Sequence, residues 1–196
     1  MLDGLSHEGR TFRALRWEDS RVAGTEFDRC VFDRCVLSRS VLTHCRFTSC
    51  RFVGCDLSNV SVPSSRLRDV RFETTKLLGV DWTKADAMAD AHAPTSLSFV
   101  ECVLDLSSFF GLNLRGAVME RCSAKEVDLA EADLRDAVCR GTDFAGAKFH
   151  ATNLEHADLR EALNYAIDPR VNKVRGASFS LPEAAALLRG LDIVIE

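Results

Sequence analysis

From Phe12 to Trp82 every fifth residue is apolar, through Trp17, Val22, Phe27, Phe32 and Leu37 to Phe72 and Leu77, without exception. At a hydrophobic content of 46%, such a run arises by chance about once in 10⁵ trials. A period of five is neither that of an α-helix nor that of a flat strand. The position two residues before each large one is equally selective: Cys30, Cys35, Ser40, Cys45, Cys50, Cys55, Val60 and Ser65 are all small or β-branched. Two side chains in five therefore point inward and three face water, which describes a short strand and a corner, repeated. Each unit buries too little to stand alone and must stack on its neighbours as a solenoid.

Two stretches carry the period in its plainest form, Ala132-Asp133-Leu134-Arg135-Asp136 and Ala157-Asp158-Leu159-Arg160-Glu161. They resemble the motif of the pentapeptide-repeat family, and the resemblance covers about residues 10 to 164. It implies an all-β solenoid, a right-handed quadrilateral β-helix with four pentapeptides to a coil. Residues twenty apart would then stack at about 4.8 Å. Phe12, Phe32, Phe52 and Phe72 would form one internal ladder, and Phe27 and Phe47 would start another.

The register breaks once. After Trp82 the large residue returns at Phe99, where three steps of five leave two residues over. The surplus reads either as a loop that touches a partner, presenting Lys84, Asp86, Met88, Asp90 and His92, or as a spacer between two stacks. The pattern then runs to Leu159, weakest at Ala124 and Cys139, and Ala177 and Phe179 look like a last repeat. Ser180 as N-cap and Glu183 at the capping-box position open a helix that Gly190 ends. Leu181, Ala184, Ala185 and Leu188 share its apolar face, and Leu191–Ile195 reads as a short strand. The expected organisation is a β-helix over residues 1–179, interrupted at 83–98, and a segment at 180–196 that caps the stack and dimerises. Leu181, Leu188, Leu191, Ile193 and Ile195 are the expected contacts of a homodimer.

Catalysis finds little support. Of the eight cysteines, seven fall on small inward positions and Cys139 on a large one, without the spacing of a zinc site, so core thiols are expected. The histidines are scattered and accompany no catalytic motif, and a solenoid filled with Phe and Leu leaves no pocket in which to desolvate a substrate. A non-enzyme without cofactor or metal is expected. No apolar run approaches a membrane span, and the N-terminus lacks an apolar signal region, so the expected location is the cytoplasm.

Function then falls to the surface. Residues 1–82 carry 13 Lys/Arg against 11 Asp/Glu, and residues 83–196 carry 12 against 18, so the formal charge passes from +2 to −6. The candidate partner-binding carboxylates are Glu126, Asp128, Glu131, Asp133, Asp136, Asp143, Glu155, Asp158 and Glu161. About seven coils make a protomer some 35 Å long and an end-to-end dimer of roughly 70 Å. The C-terminal segment resembles the ends of the quinolone-resistance (Qnr-type) and albicidin-resistance members of the family. That resemblance implies a DNA mimic that binds DNA gyrase or topoisomerase IV and protects it from poisons. The alternative is a passive interaction scaffold. Direct nucleic-acid binding is not expected: Arg46 with Arg66 and Arg51 with Arg71 form Arg-rich faces, but the aromatic residues point inward rather than between them.

Overall fold

A computed structural model describes residues 4–86 and 97–191, with side chains through Leu188. The chain winds into a right-handed β-helix of about 8 turns, and all its strand pairs are parallel. On the first face Phe12, Phe32, Phe52, Phe72, Phe99 and Met119 lie in one register. Val118 to Val138 to Asp158 continues that column, and Leu159 beneath Phe179 closes it. The last repeat expected at Phe179 is therefore present. The fourth face, adjoining the first, carries His7, Phe27, Phe47 and Leu67 in the same manner. The second and third faces, centred on Leu37 and Leu42, are joined by single bridges and short pairs.

The five-residue period has a backbone cause. At most corners the second residue after the large one is left-handed, from Ala14 (φ 49°) through Glu126 (φ 55°) to Gly176 (φ 71°). One such residue turns the strand, and stacked corners hand their N–H groups to the next coil, as Arg34 N does to Val53 O at 2.8 Å. The left-handed conformation costs a residue with a Cβ roughly 1–2 kcal/mol, and Gly is the commonest residue at the corners, ahead of Arg and Glu.

The Asp or Asn before many large residues has a cause as well. Its Oδ1 accepts the N–H two residues on, as in Asp128 to Ala130 (3.1 Å), Asp133 to Arg135 (3.1 Å), Asp143 to Ala145 (3.1 Å) and Asp158 to Arg160 (3.2 Å). These side chains close turns.

The core is a column of rings. Phe32 stacks on Phe52 at 4.5 Å and Phe52 on Phe72 at 5.0 Å, while Phe27 meets Phe32 edge-on at 5.3 Å. Each buried ring contributes about 1.5–3 kcal/mol by leaving water. All eight cysteines are buried free thiols. Cys50, Cys55 and Cys122 bond to carbonyl oxygens of the coil below. Burial pushes the Cys50 thiol up to about 11 and those of Cys55 and Cys139 up to about 12. His7 occupies an inward large position, stacked on Phe27 at 5.3 Å with its Nε2 unpartnered.

Three expectations are corrected. Phe99 sits on Phe72, so the break spans two steps and leaves seven residues over rather than two. A surplus of two would have set Phe99 on the second face above Leu77, where Leu104 is found instead, since Leu77 N donates to Val103 O. The C-terminal helix is a 3-10 helix over Glu183–Leu191 that runs through Gly190. Its three-residue turn turns Ala186 and Leu187 to the core and leaves Leu188 37% exposed, while Leu181, just before the helix, is 83% exposed. Ser180 does not cap this helix through its side chain; its hydroxyl accepts the Glu161 N–H at 3.2 Å, tying the last coil to the one below. The strand expected at 191–195 meets this helix at Leu191, and residues 192–196 lie outside the described ones.

Candidate partner-binding surface

The nine candidate carboxylates do not share one face. Asp143 lies on the second face, Asp133, Asp136 and Glu155 on or beside the fourth, Asp158 on the first, and Glu161 at the corner after it. Glu126, Asp128 and Glu131 share one rung of the third face, with Asp128 in its centre and Glu126 and Glu131 at its two corners (φ 55° and 61°), and Glu131, Asp133 and Asp136 are arranged alike on the fourth.

Ion pairing separates the nine further. Asp133 is held by Arg135 (2.5 Å), Asp136 by Arg115 (3.0 Å), and Asp158 by both Arg140 (2.5 Å) and Arg160 (2.7 Å). The Arg135 hydrogen bonds keep the Asp133 carboxyl below its ordinary range despite partial burial. At Asp143 burial works upward but is outweighed by bonds from Asn164, the Ala145 N–H and Lys125, so its pKa also falls. Among the described residues Asp128 forms a salt bridge only with Lys148, at 3.8 Å. Glu126, Glu131, Glu155 and Glu161 form no salt bridge among the described residues. Exposed pairs contribute little to stability, yet each one cancels local field.

Directly below the acidic rung lie two apolar side chains that the periodicity did not single out. Leu106 sits under the Glu126 corner, its N–H donating to Lys125 O at 2.9 Å, and Phe110 sits beneath Ala130. They are 58% and 46% exposed, and Leu106 holds a left-handed corner (φ 60°). The sequence carried a signal for one of them: of Phe109 and Phe110, only Phe109 can point inward. The third face thus presents exposed apolar groups beneath a row of three carboxylates.

Of the loop residues, Lys84 is exposed and pairs with Asp81 at 3.6 Å, and Asp86 is exposed with its N–H on Ser65 O. Met88, Asp90 and His92 lie outside the described residues. So do Ile193 and Ile195, and the side chain of Leu191 is likewise undescribed. In the basic half, Arg51 and Arg71 stack and both hold Glu73. Arg46 pairs with Glu26, and it stacks beneath Arg66, which has no partner among the described residues. No group of His, Cys, Asp and Glu among the described residues could hold a metal ion, and no described helix is long and apolar enough to cross a membrane.

Two family models match the chain, a pentapeptide repeat region over residues 25–90 and a run of pentapeptide repeats over residues 125–162. No curated protein sequence matches it. Among solved structures, HetL, a pentapeptide repeat protein involved in heterocyst differentiation regulation in the cyanobacterium Nostoc sp. strain PCC 7120, is 15% identical. The match covers 89% of this chain and 85% of HetL, with a TM-score of 0.54. A trypsin-treated form of QnrB1, a plasmid-mediated fluoroquinolone resistance protein, is 20% identical over 99% of both chains, with a TM-score of 0.49. At these identities the likeness bears on the fold alone.

Proposed function

The chain belongs to the pentapeptide-repeat family, and on that premise we propose that it is a partner-binding rod. Its acidic half would dock on the positively charged DNA-binding surface of a type II topoisomerase, DNA gyrase or topoisomerase IV, and so protect that enzyme from poisons. The observation that carries this reading is the rung of Glu126, Asp128 and Glu131 over exposed Leu106 and Phe110. Carboxylates attract a basic partner and set its approach, while an apolar contact excluded from water supplies affinity. Imitation of DNA is local on this reading, because Asp133, Asp136 and Asp158 are already neutralised by Arg. Quinolones and albicidin are the poisons to test, as the resemblance of the sequence implies.

The rod would be completed as a homodimer at its C-terminal end, where Leu181 and Leu188 are exposed. A first-face ladder from Phe12 to Phe179 spans about 38 Å, so two protomers end to end approach 80 Å. A passive scaffold is the second reading, favoured by the same neutralised carboxylates. A gyrase supercoiling assay with and without a quinolone, titrated with this protein, decides between them: rescue supports docking, and no effect on gyrase or topoisomerase IV leaves the scaffold.

A further inference from the structure

At the C-terminal end of the coil the chain departs from the repeat, and a cavity of about 730 Å³ opens between the last turn and the 3-10 helix. Its walls are mostly small and apolar, among them Ala145, Gly146, Ala166 and Ala185. Tyr165, whose ring packs 5.6 Å from that of Phe179, lines the cavity and is only 4% exposed. Its hydroxyl is buried without a hydrogen-bond partner among the described residues. A buried, unpaired polar group costs about 1–3 kcal/mol, and a cavity of several hundred Å³ with few polar groups is the usual form of a small-molecule site.

The other polar groups fix the sign of a ligand. Glu183 lines the same cavity, and its charge adds to burial in raising the Tyr165 pKa. Asn164 donates one of its amide N–H groups to Asp143 at 2.8 Å, and its side-chain oxygen remains an acceptor. Glu126 stands at the adjoining corner, its Cγ about 3.1 Å from where a Cβ on Gly146 would lie. Acceptors and negative charge thus converge on an apolar space lined by no cationic side chain among the described residues.

We propose that this cavity binds a small, largely apolar organic cation, a protonated amine whose N–H groups are received by the Glu183 carboxylate and the Asn164 side-chain oxygen, with its apolar part beside Tyr165. The site is separate from the third-face rung and does not rest on the topoisomerase reading. Tyr165 is the only tyrosine of the chain, so a sample with ring-labelled tyrosine reports this cavity alone. Full-length protein titrated with 2-phenylethylammonium should show a saturable shift of the Tyr165 ring signals, and neutral 2-phenylethanol should bind at least about tenfold more weakly. Glu183→Gln should weaken the amine by a similar factor and leave the alcohol unchanged. Equal binding of amine and alcohol, or no shift at millimolar amine, overturns the proposal.

Discussion

Phe99 lies directly over Phe72, with ring centroids 5.2 Å apart and planes 5° from parallel, although the numbering advances by twenty-seven between them rather than by the twenty of a regular coil. The two halves are therefore one continuous stack with seven extra residues. Deleting Met88–Pro94 removes those seven and places Leu97 and Phe99 in the small and large positions of an unbroken period. The shortened protein should keep its β-sheet circular dichroism and melt within a few degrees of the wild type. If the loop touches the topoisomerase, the same variant loses protection while remaining folded.

Phe52 is 1% exposed and lies between the rings of Phe32 and Phe72. Phe52→Asp buries an unpaired charge at a cost of several kcal/mol, comparable with the stability of a whole domain. It should unfold the N-terminal coils or leave the protein insoluble. Phe52→Leu should lower stability by only about 1–2 kcal/mol. A soluble Asp variant with an unchanged melting temperature contradicts the packing.

Most of this was legible in the sequence because each coil repeats the same inward pair. Phe52, Leu57, Val62 and Leu67 announce their positions by type and by spacing. The size of the break was not legible, since counting apolar residues forward from Trp82 cannot tell two steps from three; only the pairing of Phe99 with Phe72 does. The carboxylates misled for a related reason. Asp128, Asp133, Asp143 and Asp158 recur because their Oδ1 atoms close turns, so their number reflects the fold and not a docking surface.

That turn role makes a separable prediction. Asp133→Asn keeps an acceptor for the Arg135 N–H and loses only the small contribution of a part-exposed ion pair, whereas Asp133→Ala should cost about 1 kcal/mol more by urea denaturation. Equal stability of the two variants removes the turn role.

Two groups of residues set the dependence on pH. Burial, then Arg10, lowers the His7 pKa from 6.5, so the unfolded state takes up a proton first. Stability is full above 6.5 and declines as pH falls through the folded value. His7→Phe should remove this limb and raise the melting temperature more at pH 5 than at pH 8. Asp19, Asp133 and Asp168 are depressed below 3.8 chiefly by hydrogen bonds from Arg39, Arg135 and Arg170. Their stabilisation is present above about 4 and is lost as pH falls further, so a second decline should persist in His7→Phe.

Leu106 bears on stability and docking at once, because an exposed leucine in a left-handed corner gains nothing for the fold. Gly79 and Gly146 occupy the same corner elsewhere in the column. Leu106→Gly relieves roughly 1 kcal/mol of backbone strain, partly offset by the entropy of glycine. The variant should be as stable as the wild type or slightly more so, and should bind its partner more weakly.

The sharpest test of the docking surface sets two groups of carboxylates against each other. Glu126, Asp128 and Glu131 share a rung over Leu106 and Phe110, whereas Asp133, Asp136 and Asp158 are spread over two faces and paired with Arg. Replacing the first three by Gln, Asn and Gln should lower gyrase affinity at least about tenfold and flatten its salt dependence, since unscreened charges steer association. Replacing the second three by Asn keeps the turn acceptors of Asp133 and Asp158, and should change affinity little because their field is already cancelled. If the second triple weakens binding as much as the first, the partner reads overall charge and mimicry is distributed along the rod. If neither triple changes a measurable rescue of gyrase, the contact lies elsewhere, and the loop is examined first through the Met88–Pro94 deletion.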